Sequence, residues 1–113
     1  MPMMTSMMRK SKKPIENNKE DRTVERLHAI IYGRVQGVSF RYFTAQRAEE
    51  LEIKGWVRNR PDGSVETMAE GNRPVLDEFL EFLHQGPSGA RVNYVEVTWL
   101  DAINGFKRFE IKI

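Results

Sequence analysis

The chain has 113 residues, of which 40% are hydrophobic and 30% charged, a composition typical of a single globular domain. It contains no cysteine, which excludes a disulfide framework, a thiolate metal site and a cysteine nucleophile. No apolar run approaches the roughly 20 residues that a membrane-spanning helix needs, so we expect a cytoplasmic protein with no membrane partner.

The excess of positive charge lies in the N-terminal segment. Residues 1–24 carry six Lys or Arg and three acidic residues, whereas residues 25–113 carry twelve basic and thirteen acidic residues. The segment also lacks a sustained apolar period, so we predict a disordered basic extension over residues 1–24 and a folded domain over residues 25–113. Because nucleic-acid-binding domains usually carry their basic stripe on the fold itself, we expect no nucleic-acid partner.

The domain begins with a strand that leads through a glycine-containing loop into a helix. Between Glu25 and Val35 the apolar residues recur every second position, which predicts the first strand. Between Phe40 and Glu52 they recur at helical spacing, which predicts the first helix. The residues expected to face the core are Leu27, Ala29, Ile31 and Val35 in the strand and Phe40, Phe43, Thr44, Ala48 and Leu51 in the helix.

The rest of the domain reads as a hairpin, a second helix and two further strands. The predicted elements, in chain order, are a second strand over 53–59 that contains Trp56, a turn over 60–63, a third strand over 64–70, a second helix from 73 to about 85, a fourth strand over 92–100 and a short closing strand over 106–113. This order predicts an α+β fold, the ferredoxin-like βαββαβ sandwich with a short extra C-terminal strand. Both helices should cover one face of an antiparallel sheet.

This topology also predicts where binding groups meet. The first and second strands should run parallel, because a helix crosses over between them, so their C-terminal ends lie at one edge of the sheet. The first strand ends in the loop 33–38, and the second strand ends at Asn59. We therefore expect this loop and Asn59 to be neighbours.

The loop before the first helix has the properties of an anion-binding site. Gly33 and Gly37 permit backbone conformations that direct N–H groups inward, and the helix N-terminus adds donors and a positive dipole end. Arg41, on the first helical turn, can bind oxygen atoms with its planar guanidinium. The loop lacks the Gly-Lys-Ser/Thr of a Walker motif and the GxGxxG of dinucleotide folds. The expected ligand is an anion of phosphoryl size, bound without an obvious metal site.

Two motifs resemble the signatures of the acylphosphatase family, and the resemblance runs from about residue 26 to the C-terminus. The motifs are Gly33-x-Val35-Gln36-Gly37-Val38-x-Phe40-Arg41 and Gly55-Trp56-Val57-Arg58-Asn59 followed by Asp62-Gly63-Ser64-Val65. The resemblance implies hydrolysis of the carboxyl-phosphate bond of a small acyl phosphate to a carboxylate and inorganic phosphate, without metal or cofactor. We expect a monomer that is inhibited by its product, inorganic phosphate.

The resemblance also implies roles for single residues. It places the phosphate-binding loop on Gly33, Arg34, Val35, Gln36, Gly37 and Val38, the substrate-binding arginine on Arg41 and the water-orienting asparagine on Asn59. The leaving group is a carboxylate whose conjugate acid has a pKa of about 4, so it departs without a proton donor. Neither motif offers a general base, and we hypothesise that the substrate phosphate takes the proton.

Two other functions stay open at this stage. A non-catalytic regulator could bind acyl phosphate or phosphate with the same loop. A ferredoxin-like RNA-binding module would need exposed aromatic residues on its central strands, whereas the third strand has two acidic residues and no aromatic one.

Several residues in and near the motifs have structural interpretations. We expect Phe40, Phe43 and Trp56 in the core, Gln36 in a structural role, and the Ser39 side chain as a helix cap. His28 and His84 have no second ligand at metal-like spacing, so we expect surface positions for both.

Overall fold

The computed structural model describes residues 23–113, and residues 1–22 of the predicted extension lie outside this range. The elements in chain order are β1 (Val24–Arg34), α1 (Phe40–Glu50), β2 (Lys54–Asn59), β3 (Val65–Asn72), α2 (Arg73–Gln85), β4 (Arg91–Asp101) and β5 (Phe109–Lys112). This is the predicted ferredoxin-like order with a short closing strand. Neither described helix is long and apolar enough to cross a membrane.

The five strands form one sheet in the order β4-β1-β3-β2-β5. The central strand β3 pairs antiparallel with β1 on one side and with β2 on the other, so β1 and β2 run parallel to each other as predicted. The edge strand β5 pairs parallel with β2, and the sheet is therefore mixed where an antiparallel sheet was expected. The C-terminal ends of β1 and β2 lie at the same edge.

Both helices pack on one face of the sheet and share a single core with it. The alternation in β1 is confirmed, since Leu27, Ala29 and Ile31 are fully buried. The helices contribute Phe40, Thr44 and Ala48 from α1 and Leu76, Phe79 and Leu83 from α2. This packing fixes the direction in which each helix N-terminus points.

Two aromatic residues expected in the core lie elsewhere. The Phe43 side chain is 39% exposed, because it falls beside the buried stripe of α1 rather than within it. Trp56 is half-buried on the opposite side of β2 from the buried residue Val57. There its ring is contacted by the Arg58 guanidinium and the Lys112 ammonium, each 5.2 Å from the ring centroid. The polar face of the sheet therefore holds Trp56 by cation–π contacts.

Glu70 fastens the connection between β4 and β5 to the centre of the sheet. Its carboxylate accepts hydrogen bonds from the backbone N–H of Ile103 at 2.8 Å, the backbone N–H of Asn104 at 3.0 Å and Arg26 Nε at 2.7 Å. Burial alone would raise the pKa of Glu70, but these hydrogen bonds and the charge of Arg26 outweigh it and hold the pKa below the ordinary value of 4.5. The ionised carboxylate is thus part of the fold.

We expect the substitution Glu70→Gln to lower the free energy of unfolding at neutral pH by about 1–3 kcal/mol, on the scale of hydrogen bonds to a charged group. Because folding lowers the pKa of Glu70, its contribution is complete above the ordinary value and is lost as the pH falls through the folded-state pKa. Urea unfolding from about pH 7 to about pH 3 should show the parent converging on the variant. The exposed Glu81→Gln on α2 is the control. A constant difference at every pH would contradict this role.

Candidate active site

A cavity of about 440 Å³ lies at the sheet edge where β1 and β2 end. Five of the eight predicted site residues line it: Val35, Gln36, Gly37, Arg41 and Asn59. Of the described residues that line this cavity, Arg41 is the one cation and none is a carboxylate. The topology therefore brings residues from both motifs to one place, and their charge favours an anion.

Residues with positive φ alternate with a residue of non-positive φ along the end of the loop, just before α1. Gly37 has φ +78° and Ser39 has φ +62°, whereas Val38 between them does not have positive φ. Alternation of this kind turns backbone N–H groups toward a common concave side and is typical of anion-binding loops. A Cβ atom added at Gly37 would meet no atom within 4 Å, so the left-handed backbone rather than crowding favours glycine there.

Ser39 occupies the N-cap position, but the prediction that its side chain caps α1 is wrong. Its left-handed backbone, with φ 62° and ψ 29°, comes with no side-chain capping hydrogen bond. The Ser39 carbonyl instead accepts the hydrogen bond from Phe43 N–H at 3.1 Å. Capping residues usually have extended backbone, which lets the side chain reach the first N–H groups. The backbone N–H groups in the first turn of α1 therefore make no hydrogen bond to the Ser39 side chain.

Gln36 ties the loop to the turn between β2 and β3. Its Nε2 donates to the Arg60 carbonyl at 2.8 Å and to the Ser64 carbonyl at 2.9 Å. These two bonds confirm its predicted structural role. Because Asn59 directly precedes Arg60, they also fix the distance between the loop and Asn59.

The turn itself is closed by its own side chains. Asp62 accepts hydrogen bonds from the Ser64 hydroxyl and from the Ser64 backbone N–H at 2.9 Å. These bonds lower the pKa of Asp62, with a smaller contribution from the charge of Arg60. Arg60 N–H donates to the Ser64 carbonyl at 2.8 Å. Asn59 therefore stands at the end of β2 on a locally closed turn.

The Arg41 side chain is held by the closing strand. Its Nη1 donates to the Lys112 carbonyl at 2.9 Å. A guanidinium has five N–H donors, so the remaining donors are available to another acceptor. The position of β5 beside β2 thus decides where this cation lies.

Three of the predicted phosphate-binding residues do not line the cavity. Gly33 and Arg34 belong to β1, where they pair with Val92 and Arg91 of β4. Gly33 has φ +134°, and a Cβ atom there would stand 2.1 Å from the Arg91 carbonyl oxygen, so the close approach of β4 requires glycine. Val38 packs against the core. The part of these residues in phosphate binding stays a prediction.

Sequence reasoning gave no part in the site to four residues that line this cavity, Ser39, Phe40, Tyr42 and Ile111. It also missed the Lys112 carbonyl, which holds Arg41. Ile111 lies in the predicted closing strand over 106–113, but the sequence does not indicate which strand β5 pairs with. The signal for Tyr42 is its place next to Arg41 on the first turn of α1.

Neither histidine belongs to the cavity. His28 Nε2 lies 2.7 Å from Glu66 Oε2, and His84 Nδ1 lies 3.0 Å from the Leu80 carbonyl oxygen. Within residues 23–113, no group of three or more His, Asp or Glu side chains is arranged to hold a metal ion.

We expect Gln36→Leu to lower the free energy of unfolding by about 1–3 kcal/mol, because it removes two hydrogen bonds and leaves the Arg60 carbonyl without that donor. Urea unfolding measures this change. Gln46→Leu, an equal substitution at an exposed position of α1, is the control and should change stability by less than about 0.5 kcal/mol. Equal effects of the two substitutions would contradict the structural role of Gln36.

The family model and the relatives most similar in sequence agree on one family. The family model described as Acylphosphatase matches residues 27–111. The acylphosphatase of Salinibacter ruber is 48% identical over 93 residues, which cover 82% of this chain and 98% of the relative. That of Chloroflexus aurantiacus is 53% identical over 74 residues, covering 66% of this chain and 80% of the relative. The crystal structure of acylphosphatase from Bacillus subtilis superposes with a TM-score of 0.76 at 39% identity, covering 79% of this chain and 99% of that structure.

Proposed function

Because this chain belongs to the acylphosphatase family and hydrolyses acyl phosphates, we propose that the cavity between the loop and Asn59 is its active site. The observation that carries the proposal is that Gly37, Arg41 and Asn59, from both motifs, line one cavity. Among the described residues that line it, Arg41 is the one cation and none is a carboxylate. Family membership also favours hydrolysis over the two alternatives left open by the sequence, a non-catalytic regulator and an RNA-binding module.

In this proposal, backbone N–H groups of the loop and the guanidinium of Arg41 bind the phosphoryl oxygens. The left-handed conformations at Gly37 and Ser39 support a concave array of donors, and the N-terminus of α1 adds its positive dipole end. In the transition state, negative charge spreads over the three equatorial oxygens. Donors held in place before the reaction stabilise that charge without reorganisation.

Asn59 orients the attacking water. Its amide can accept a hydrogen bond from the water through the carbonyl or donate one through the NH₂ group. The water oxygen attacks phosphorus, the bond between phosphorus and the bridging oxygen breaks, and its electron pair leaves with the carboxylate. A phosphate oxygen takes the proton of the water, because no lining side chain among the described residues is a carboxylate or a histidine.

The leaving group explains why so few residues suffice. A carboxylate is stable as an anion near neutral pH, so no general acid is required. Positioning and electrostatic stabilisation are then the main tasks of the protein. We propose that they are met without a metal ion or cofactor, and that residues 25–113 form the catalytic domain of a cytoplasmic monomer.

We expect Asn59→Ala to lower kcat about 10²- to 10³-fold, the usual loss when one positioned polar group is removed from a reacting centre. The loss of absorbance of benzoyl phosphate, followed in the presence of a chelator, measures the rate. The parent should keep its full rate with the chelator. The control Asn93→Ala, at an exposed position of β4, should leave kcat unchanged. An unchanged rate in Asn59→Ala with intact folding would remove Asn59 from the mechanism.

We expect Arg41→Gln to weaken the binding of substrate and of inorganic phosphate. Phosphate should raise the Tm of the parent, because a ligand that binds only the native state stabilises it. The variant should lose most of this shift, and its KM should rise about tenfold or more, in line with the loss of a charge-assisted hydrogen bond. Arg47→Gln, the same charge change further along α1, is the control. Full protection of Arg41→Gln by phosphate would show that the anion binds elsewhere.

A further inference from the structure

A second cavity, of about 540 Å³, adjoins the active-site cavity. It lies between α1 and β5, and Tyr42 and Ile111 line both cavities. We call this second cavity the α1–β5 groove. Its volume falls within the range of ordinary small-molecule sites. Because the two cavities share two side chains, the groove lies directly beside the site of a ligand held at Arg41.

The two shared residues are large, apolar and accessible. Tyr42 is 58% exposed and Ile111 is 44% exposed. The Tyr42 and Phe43 rings pack edge to face, with centroids 5.2 Å apart. Exposed apolar side chains that stand together beside a charged site mark a surface that binds something apolar.

The floor of the groove is apolar, whereas its rim carries both signs of charge. Ala45, Ile53 and Phe109 contribute to the lining, and Ile53 is only 2% exposed. The rim has Glu49 and Glu52 together with Lys54, Lys107 and Arg108, and Arg108 Nε is paired with Glu110 Oε2 at 3.1 Å. Mixed charge gives no strong preference for an ionic group. The chemistry of the groove therefore suits an uncharged, apolar chain or ring.

We propose that the α1–β5 groove binds the acyl group of the substrate and that Tyr42 and Ile111 determine acyl specificity. This inference rests on the proposed function, since it takes the phosphoryl group to be bound at Arg41. The acyl carbon is separated from phosphorus by a single bridging oxygen, so the acyl group begins inside the active-site cavity and a longer chain extends toward its walls. Tyr42 and Ile111 form the part of those walls that is shared with the groove. The preferred substrates are acyl phosphates with aromatic or medium-length apolar acyl groups.

The expected preference for longer acyl chains follows from the apolar surface area of the chain that the groove can bury. Full burial of one methylene group corresponds to about a fourfold gain in binding. The groove is open on one side, so each methylene is about half-covered. Hexanoyl phosphate has four more methylenes than acetyl phosphate, and its kcat/KM should be about tenfold to twentyfold higher.

The experiment measures kcat/KM for acetyl, butanoyl, hexanoyl and benzoyl phosphate with the parent and three variants. In Tyr42→Ser and Ile111→Ser, the ratio of kcat/KM for hexanoyl phosphate to kcat/KM for acetyl phosphate should fall about threefold to fivefold. Tyr94→Ser is the matched control, because Tyr94 is 60% exposed, its ring stacks on Tyr32, and it lines neither cavity. Its ratio should equal that of the parent. Circular dichroism and the phosphate-induced shift in Tm verify that each variant folds and binds phosphate.

The outcomes separate this inference from the proposed function. A kcat/KM independent of acyl length, or a hexanoyl-to-acetyl ratio that Tyr42→Ser and Ile111→Ser leave unchanged, would show that the groove does not bind the acyl group and would overturn the inference. The proposed function would still stand if Asn59→Ala and Arg41→Gln lost activity on every substrate. If those two variants kept the parent rate, the active-site assignment would fail whatever the acyl series showed.

Discussion

The site depends on one constraint, the double antiparallel pairing of the central strand β3. Because β3 pairs with β1 on one side and β2 on the other, β1 and β2 run parallel and end at the same edge. Sheet pairing alone brings the loop 33–38 and the turn 60–63 to the same edge, but it does not fix one against the other. The two hydrogen bonds from Gln36 to the Arg60 and Ser64 carbonyls then hold the loop against the turn. Two segments far apart in sequence thereby become one rigid surface.

A second set of contacts brings the C-terminus to the same place. Glu70 holds the backbone of Ile103 and Asn104, which directs the chain from β4 across to the far edge of the sheet. There β5 pairs with β2. On the other side of β2, Gly55 allows the close approach of β3, because a Cβ atom at this position would stand 1.9 Å from the Met68 carbonyl oxygen. The Lys112 carbonyl at the end of β5 then holds Arg41. The position of the arginine is therefore set by a residue 71 positions away.

The sequence predicts most of the fold because the signals involved are local. The period of two in β1 and the helical spacing in α1 each depend on a few neighbouring residues, and the order of elements then limits the topology. The failures concern features that neighbours do not determine. Trp56 faces the polar side of the sheet because of the register of β2, and Ser39 takes a left-handed conformation because of how the loop enters the helix. The parallel pairing of β5 and the bond from Arg41 to Lys112 are long-range, so no local pattern indicates them.

The chemistry of the leaving group explains why an apolar groove can adjoin a charged site. A leaving group that needed a proton would require a polar donor on the acyl side of the cavity, and such a donor would have to be hydrated or hydrogen-bonded. A carboxylate needs none, so that side is free to carry Tyr42 and Ile111. An apolar acyl group over these residues would exclude water from one flank of Arg41 and strengthen its interaction with the phosphoryl oxygens. Binding of the acyl group and stabilisation of phosphoryl charge would then reinforce each other.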